Sequence, residues 1–141
     1  MRILSWLLVL GLACVPVPAR AADDEGIDLT PAARAAQAWL ATVDSGRYGD
    51  SWEEASTLFK ETIPKLRWET SVQSAREPLG IVTGRKIRAM NYMRVLPGAP
   101  EGEYVVIQFD TRFENRPLSV ETVTPMKEKD GTWKVSGYFI R

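Results

Sequence analysis

The stretch YVVIQFDTRF, residues 104–113, decides how the chain is read. Val105, Ile107, Phe109, Thr111 and Phe113 point one way, and Tyr104, Gln108, Asp110 and Arg112 point the other, which is the period of a half-buried β-strand. From Ile81 onward the chain is punctuated by Pro97-Gly98, Glu101-Gly102 and Asp130-Gly131, and four strand-like stretches lie between these signals, at about residues 83–95, 103–115, 118–128 and 132–140. Asp130-Gly131 predicts a tight hairpin turn between the last two. The terminal GTWKVSGYFIR, residues 131–141, is then a strand of the sheet, with Trp133, Val135 and Phe139 on one face and Tyr138 and Ile140 on the other. A loose tail would leave four large apolar side chains in water and forgo about 1.5–3 kcal/mol for each.

Upstream, the apolar period is helical. Thr30 is placed to cap a helix whose first turn carries Pro31, where a missing N–H costs nothing, and Ala32, Ala35, Ala36, Trp39, Leu40 and Val43 form its stripe up to Gly46. GDSWEEASTLFKE, residues 49–61, reads as a second helix with Asp50 and Glu53 as a capping box and Trp52, Ala55 and Phe59 on one face. A third segment starts at Pro64, presents Leu66, Trp68, Val72 and Ala75 on more than one side, as a helix enclosed between other elements would, and ends at Pro78 and Gly80. Helices followed by an antiparallel sheet define an α+β domain, N-terminal helices packed on a four-stranded antiparallel sheet. Such sheets bury one face and wet the other. The wet face is expected to carry Tyr104, Tyr138 and Ile140, a patch that invites either a homodimer through the sheet or a small apolar ligand.

The first residues differ from this globule. Arg2, the apolar run ILSWLLVLGLACV and Ala19 and Ala21 ahead of Ala22 have the order of a secretory signal, so residues 1–21 are expected to be removed, 22–29 to be a flexible acidic lead and 30–141 to be a single domain. The apolar run is shorter than the roughly 20 residues that cross a bilayer, so no membrane span is expected in the mature form. Cys14 offers lipid anchoring as the alternative to periplasmic or secreted release, although Leu12 stands two and not three places ahead of it.

Cleavage would also change the charge. The full chain has 18 Lys and Arg against 18 Asp and Glu. Loss of Arg2 and Arg20 leaves 16 against 18, a formal charge of −2, and no surplus that attracts nucleic acid. The basic RKIRAMNYMR splits its cations between two strand faces, again unlike a nucleic-acid stripe. The cut removes the single cysteine, and the chain has no histidine, so neither a Cys–His pair, a Ser–His–Asp triad nor an imidazole metal site can be built; no cofactor is expected.

WLATVDSGRYGDSWEEASTLFKE, REPLGIVTGRK, LPGAPEGEYVVIQFDTRFENR and VETVTPMKEKDGTWKVSGYFIR, in this order over about residues 38–141, resemble a family of small exported bacterial proteins catalogued as a domain of unknown function. The resemblance implies a curved sheet wrapped on the helices, as in the cone-shaped folds of nuclear transport factors and ketosteroid isomerases or in a cystatin-like fold. It implies no reaction.

A proton-transfer enzyme on such a cone needs an ionisable group in an apolar pocket, and without histidine the choice falls on carboxylates and tyrosine. Asp110, between Gln108 and Arg112 on one strand face, is the catalytic candidate; a pair with Arg112 or a cross-strand arginine is the structural alternative and the stronger one. Tyr104, Gln108, Asp110, Arg112 and Tyr138 are the candidate ligand or interface residues. Glu121, flanked by apolar and hydroxyl residues, can pair with Arg85, Arg88 or Arg94 across the sheet, and Trp39, Trp52, Trp68 and Trp133 read as core. The absence of histidine favours a non-catalytic binding or protein-interaction module over an isomerase- or dehydratase-like enzyme.

Overall fold

Helix α1, Thr30–Asp44, buries Ala32, Ala33, Ala36, Trp39, Leu40 and Val43, small residues first and large ones later, so that its C-terminal half carries most of the packing. The structure is a computed structural model and describes residues 26–141; the expected signal at 1–21 lies outside the described residues. Thr30 is not the cap. Leu29 holds that position, and Asp28 Oδ1 accepts the Thr30 N–H at 3.0 Å.

The second helix expected at 49–61 is two helices, α2 (Tyr48–Glu54) and α3 (Thr57–Thr62). Ser56 is extended between them; its Oγ accepts the Phe59 N–H at 3.1 Å and starts α3, while its own N–H donates to the Val135 carbonyl at 2.8 Å. The break thus ties the helical layer to the sheet. Asp50 lies inside the first turn of α2, where it complements the helix dipole without capping it. Helix α4, Lys65–Arg76, is not enclosed: Trp68, Val72 and Arg76 are its buried residues, and Leu66 is 74% exposed. A 3₁₀ turn, Glu77–Leu79, leads to Gly80 at φ +75°, where a Cβ would stand 2.9 Å from the Glu114 side chain; glycine alone takes that corner without strain.

Four strands follow: β1 (Val82–Met93), β2 (Tyr104–Phe113), β3 (Arg116–Lys127) and β4 (Trp133–Ile140). They pair antiparallel in the order β1-β2-β3-β4, and Gly131 at φ +87° makes the last turn, as Asp130-Gly131 predicts. Val105, Ile107, Phe109, Val123 and Val135 meet the helices, which lie on one face over β3 and β4. At the centre Tyr138 packs edge-on against Trp39 (ring centroids 5.3 Å apart) and Trp68 (6.2 Å), with Phe59 4.9 Å from Trp68. Trp39 Nε1 donates to the Ser51 carbonyl and Trp68 Nε1 to Ser51 Oγ, so a fully buried serine satisfies both indoles.

The curved, cone-like sheet is not what forms: the sheet is not strongly curled. Its interior bulges fall at different levels, one at Arg88 beside Phe109 and one at Ser136 beside Thr124 and Pro125, so they rephase single strands and do not add into a common bend. The bulge at Ser136 has a second consequence. It puts Tyr138 and Ile140 on the helix face together with Val135 and Trp133, and turns Phe139 outward to 50% exposure, the reverse of the expected division.

Candidate functional site

Two polar constellations result, one on each face of the sheet. On the helix face, the ends of α1 and α4 meet the first half of β1. Asp44, in the last turn of α1, opposes the helix dipole and is held there by two cations. Arg85 of β1 grips it with both terminal nitrogens (Nη1 to Oδ2 2.6 Å, Nη2 to Oδ1 3.0 Å), and Arg76 Nη2 adds a third contact at 2.7 Å. Arg85 Nε reaches over β2 to Glu121 Oε1 at 2.8 Å, where Thr111 Oγ1 also donates at 2.6 Å, and the Tyr138 hydroxyl donates to the other oxygen, Oε2. Glu121 has no exposed surface. Arg76 lies over the Phe113 ring, 5.0 Å from its centroid.

Two carboxylates and two guanidinium groups balance, and every carboxylate oxygen of the set has a donor. Burial works to raise the Asp44 carboxyl, but the hydrogen bonds and charge of Arg85 and then of Arg76 outweigh it and hold the group below the usual carboxylate range. Burial pushes the Tyr138 phenol up, and the Glu121 charge pushes it further, so it stays a donor. A carboxylate so enclosed and so fully donated to holds structure together.

An Asp held below its unfolded value of about 3.9 has its stabilisation fully present above that pH and loses it as the pH falls through the lower, folded value. Denaturant unfolding of the protein is therefore expected to show stability falling as the pH drops through about 4 and continuing to fall below it, with a shallower fall in Asp44→Asn. The slope will not vanish, because Asp28, Glu53 and Asp130 are also held low by their own partners. A slope unchanged by Asp44→Asn would show that the Asp44 contacts do not form in solution.

The other face of the sheet is bare where β1, β2 and β3 run together. A groove of about 620 Å³ lies there, with Lys86, Arg88, Asp110, Arg112, Leu118 and Val120 among its lining. Asp110 Oδ1 is 3.7 Å from Arg88 Nη1, with both side chains about half exposed, so the cross-strand arginine is its partner. Lys86 and Arg112 have no carboxylate oxygen within 4 Å among the described residues. Leu118 is 89% exposed.

The five interface candidates divide accordingly. Gln108, Asp110 and Arg112 share the bare face of β2, and Asp110 and Arg112 line the groove. Tyr104 is on that face too, but it is buried at the far end, its hydroxyl donating to the Pro100 carbonyl at 2.6 Å and burial pushing its pKa up. Tyr138 is on the opposite face, in the network. The patch of Tyr104, Tyr138 and Ile140 therefore does not form. Asp44 and Arg76, central to the network, were missed, because helix ends 32 residues apart carry no shared spacing. Lys86 and Leu118 were missed as well; the split of basic residues across RKIRAMNYMR hides that Lys86, Arg88 and Arg112 come together from adjacent strands. Among the described residues no group of three or more acidic, His or Cys side chains is placed to hold a metal ion, and no helix is long and apolar enough to cross a membrane.

Residues 35–138 match the family described as protein of unknown function (DUF4019), and the chain belongs to that family. No curated protein matches the chain.

Proposed function

We propose that this domain is a non-catalytic protein-interaction module, exported from the cytoplasm, that meets its partner with the part of the sheet its helices leave bare. The observation that carries the reading is the groove over β1, β2 and β3: it combines exposed cations with a fully presented leucine on the one face no helix covers. The alternative, an isomerase- or dehydratase-like enzyme with Asp110 as acid and base, asks for a carboxyl in an apolar enclosure. Asp110 instead stands half exposed beside Arg88 in an open groove. Export rests on the order of Arg2, the apolar run and the small residues before Ala22, and net charge after cleavage speaks against nucleic acid as the partner.

The test is a photo-crosslinking amino acid placed at Leu118 and, separately, at Leu66, which is 74% exposed on α4 at the other side of the molecule. In the cells that produce the protein, Leu118 is expected to trap a discrete protein adduct and Leu66 none, and Asp110→Asn should leave the adduct in place. Equal labelling from both positions, or none from Leu118, would overturn the reading.

A further inference from the structure

The two edges of the sheet are not alike. Strand β4 is short and its Val135 carbonyl is taken by the Ser56 N–H at the start of α3. Strand β1 is twelve residues long, and its extensive contacts are with β2 alone. An edge strand presents a row of backbone N–H and C=O groups that another strand can pair with. Apolar exposure concentrates at the same place: of the nine large hydrophobic side chains exposed among the described residues, Ile81, Ile87, Met90, Met93 and Val95 lie on β1 or within two residues of it.

Charge selects what can pair there. Lys86 and Arg88 stand on the bare face beside Arg112 of β2, while Ile87 and Met90 point to the helix face. Between residues 78 and 100 the sequence has no Asp or Glu. A second copy of β1 would bring Lys86 and Arg88 of two chains into one ladder, where each chain's Asp110, one strand in, already stands beside its own Arg88, and like charges across a ladder repel. A strand that alternates acidic and apolar residues meets both faces at once: its carboxylates fall beside Lys86 and Arg88 and toward Arg112, whose side chain reaches from β2 over Gly84, and its apolar side chains fall beside Ile87 and Met90.

We infer that β1 is a docking edge for an extended segment of another protein in which acidic and apolar residues alternate, added to the sheet as a fifth strand. Backbone pairing supplies affinity, and the alternate side chains supply selection. This rests on the interaction-module reading above and names the partner's chemistry. The Arg85 end of β1 is locked by Asp44 and Glu121, which preorganises the edge and lowers the ordering cost of binding.

A fluorescent peptide of about nine residues spans most of β1 at about 3.4 Å per residue. The probes are an alternating Glu-Val peptide, its Lys-Val counterpart, a Glu-block/Val-block isomer of the same composition, and two forms of the first N-methylated along one edge or the other. Anisotropy is expected to show binding of the alternating Glu-Val peptide, weaker binding by about tenfold or more for the Lys-Val and block peptides and for the protein carrying Lys86→Glu with Arg112→Glu. Methylation along one edge should abolish binding and along the other should not, and β1 amides should gain protection from hydrogen exchange. Equal binding of the block isomer, or insensitivity to methylation on both edges, would overturn strand addition and leave plain charge attraction. Concentration-dependent protection of β1 in the protein alone would make a second copy the occupant and overturn it too. If no peptide binds while Leu118 still traps a partner in cells, the strand inference falls and the interaction module stands.

Discussion

A chain ending at Gly137 is expected not to fold. Removing Tyr138, Phe139, Ile140 and Arg141 withdraws the partly buried Tyr138 ring from between Trp39 and Trp68; truncating a fully buried aromatic costs about 3–5 kcal/mol, and this ring forgoes a large part of that. The lost phenol also leaves the fully buried Glu121 short of a donor, which costs about 1–3 kcal/mol more. The ladder goes as well: the Arg141 N–H donates to the Val120 carbonyl at 2.9 Å, and Val120 returns the bond to Arg141 at 2.8 Å. Domains of this size hold about 5–15 kcal/mol in total. Arg141→Ala is the control, because its guanidinium lies over the exposed Phe139 ring, 5.5 Å from the centroid, and meets no carboxylate within 4 Å among the described residues. That variant is expected within about 1 kcal/mol of the parent. Circular dichroism with thermal melts decides it: a truncated chain with a parental melt would make the segment a surface tail, and a damaged Arg141→Ala would demand an acidic partner that the structure does not give it.

The elements were legible where one physical signal dominates. Alternation in 104–113 and the Asp130-Gly131 turn place the strands to within a few residues, and the Ala-to-Trp stripe places α1. Ser56 was not legible as a break, since a serine amid apolar spacing reads equally as helix interior; what makes it a cap is the Val135 carbonyl, 79 residues on. The face assignment of the last strand failed for a related reason. Strand period carries no mark of the extra residue at Ser136, and a slip of one residue exchanges the faces, so Tyr138 reads as open-face and instead packs, partly buried, against the core. The curved sheet came with the resemblance, and neither residue spacing nor helix placement requires it; helices centred over β3 and β4 have no need for β1 to bend round them. Glu121 shows the limit for sites. Its Arg85 partner was one of three arginines within reach, and the choice among them is made by Asp44, which holds Arg85 from the side of the helices.

Arg85→Ala is expected to be the most damaging single substitution in the polar network, at about 3–5 kcal/mol, because removing one side of a buried ion set leaves the other uncompensated. Glu121 would keep only the neutral donors Thr111 and Tyr138, and Asp44 only Arg76. Arg85→Lys keeps the charge but cannot serve two carboxylates with three nitrogens at once, so it should fall between parent and alanine variant. If the loss is electrostatic, adding Glu121→Gln to Arg85→Ala should recover part of it, since the amide keeps acceptor and size while the stranded charge disappears. A purely steric loss predicts the opposite, with the double variant worse than the single. Denaturant unfolding of the parent, Arg85→Ala, Glu121→Gln and the double variant closes the cycle, and an Arg85→Ala variant within about 1 kcal/mol of the parent would show the network to be solvated. The same substitution tests how the network serves the open edge. Asp44 and Glu121 clamp β1 at Arg85, whereas beyond the bulge at Arg88 the strand is carried by β2. Hydrogen exchange in Arg85→Ala should therefore rise first over residues 82–87, and an edge that frays there should lose affinity for the alternating acidic peptide even at temperatures where the helices and β3–β4 remain folded.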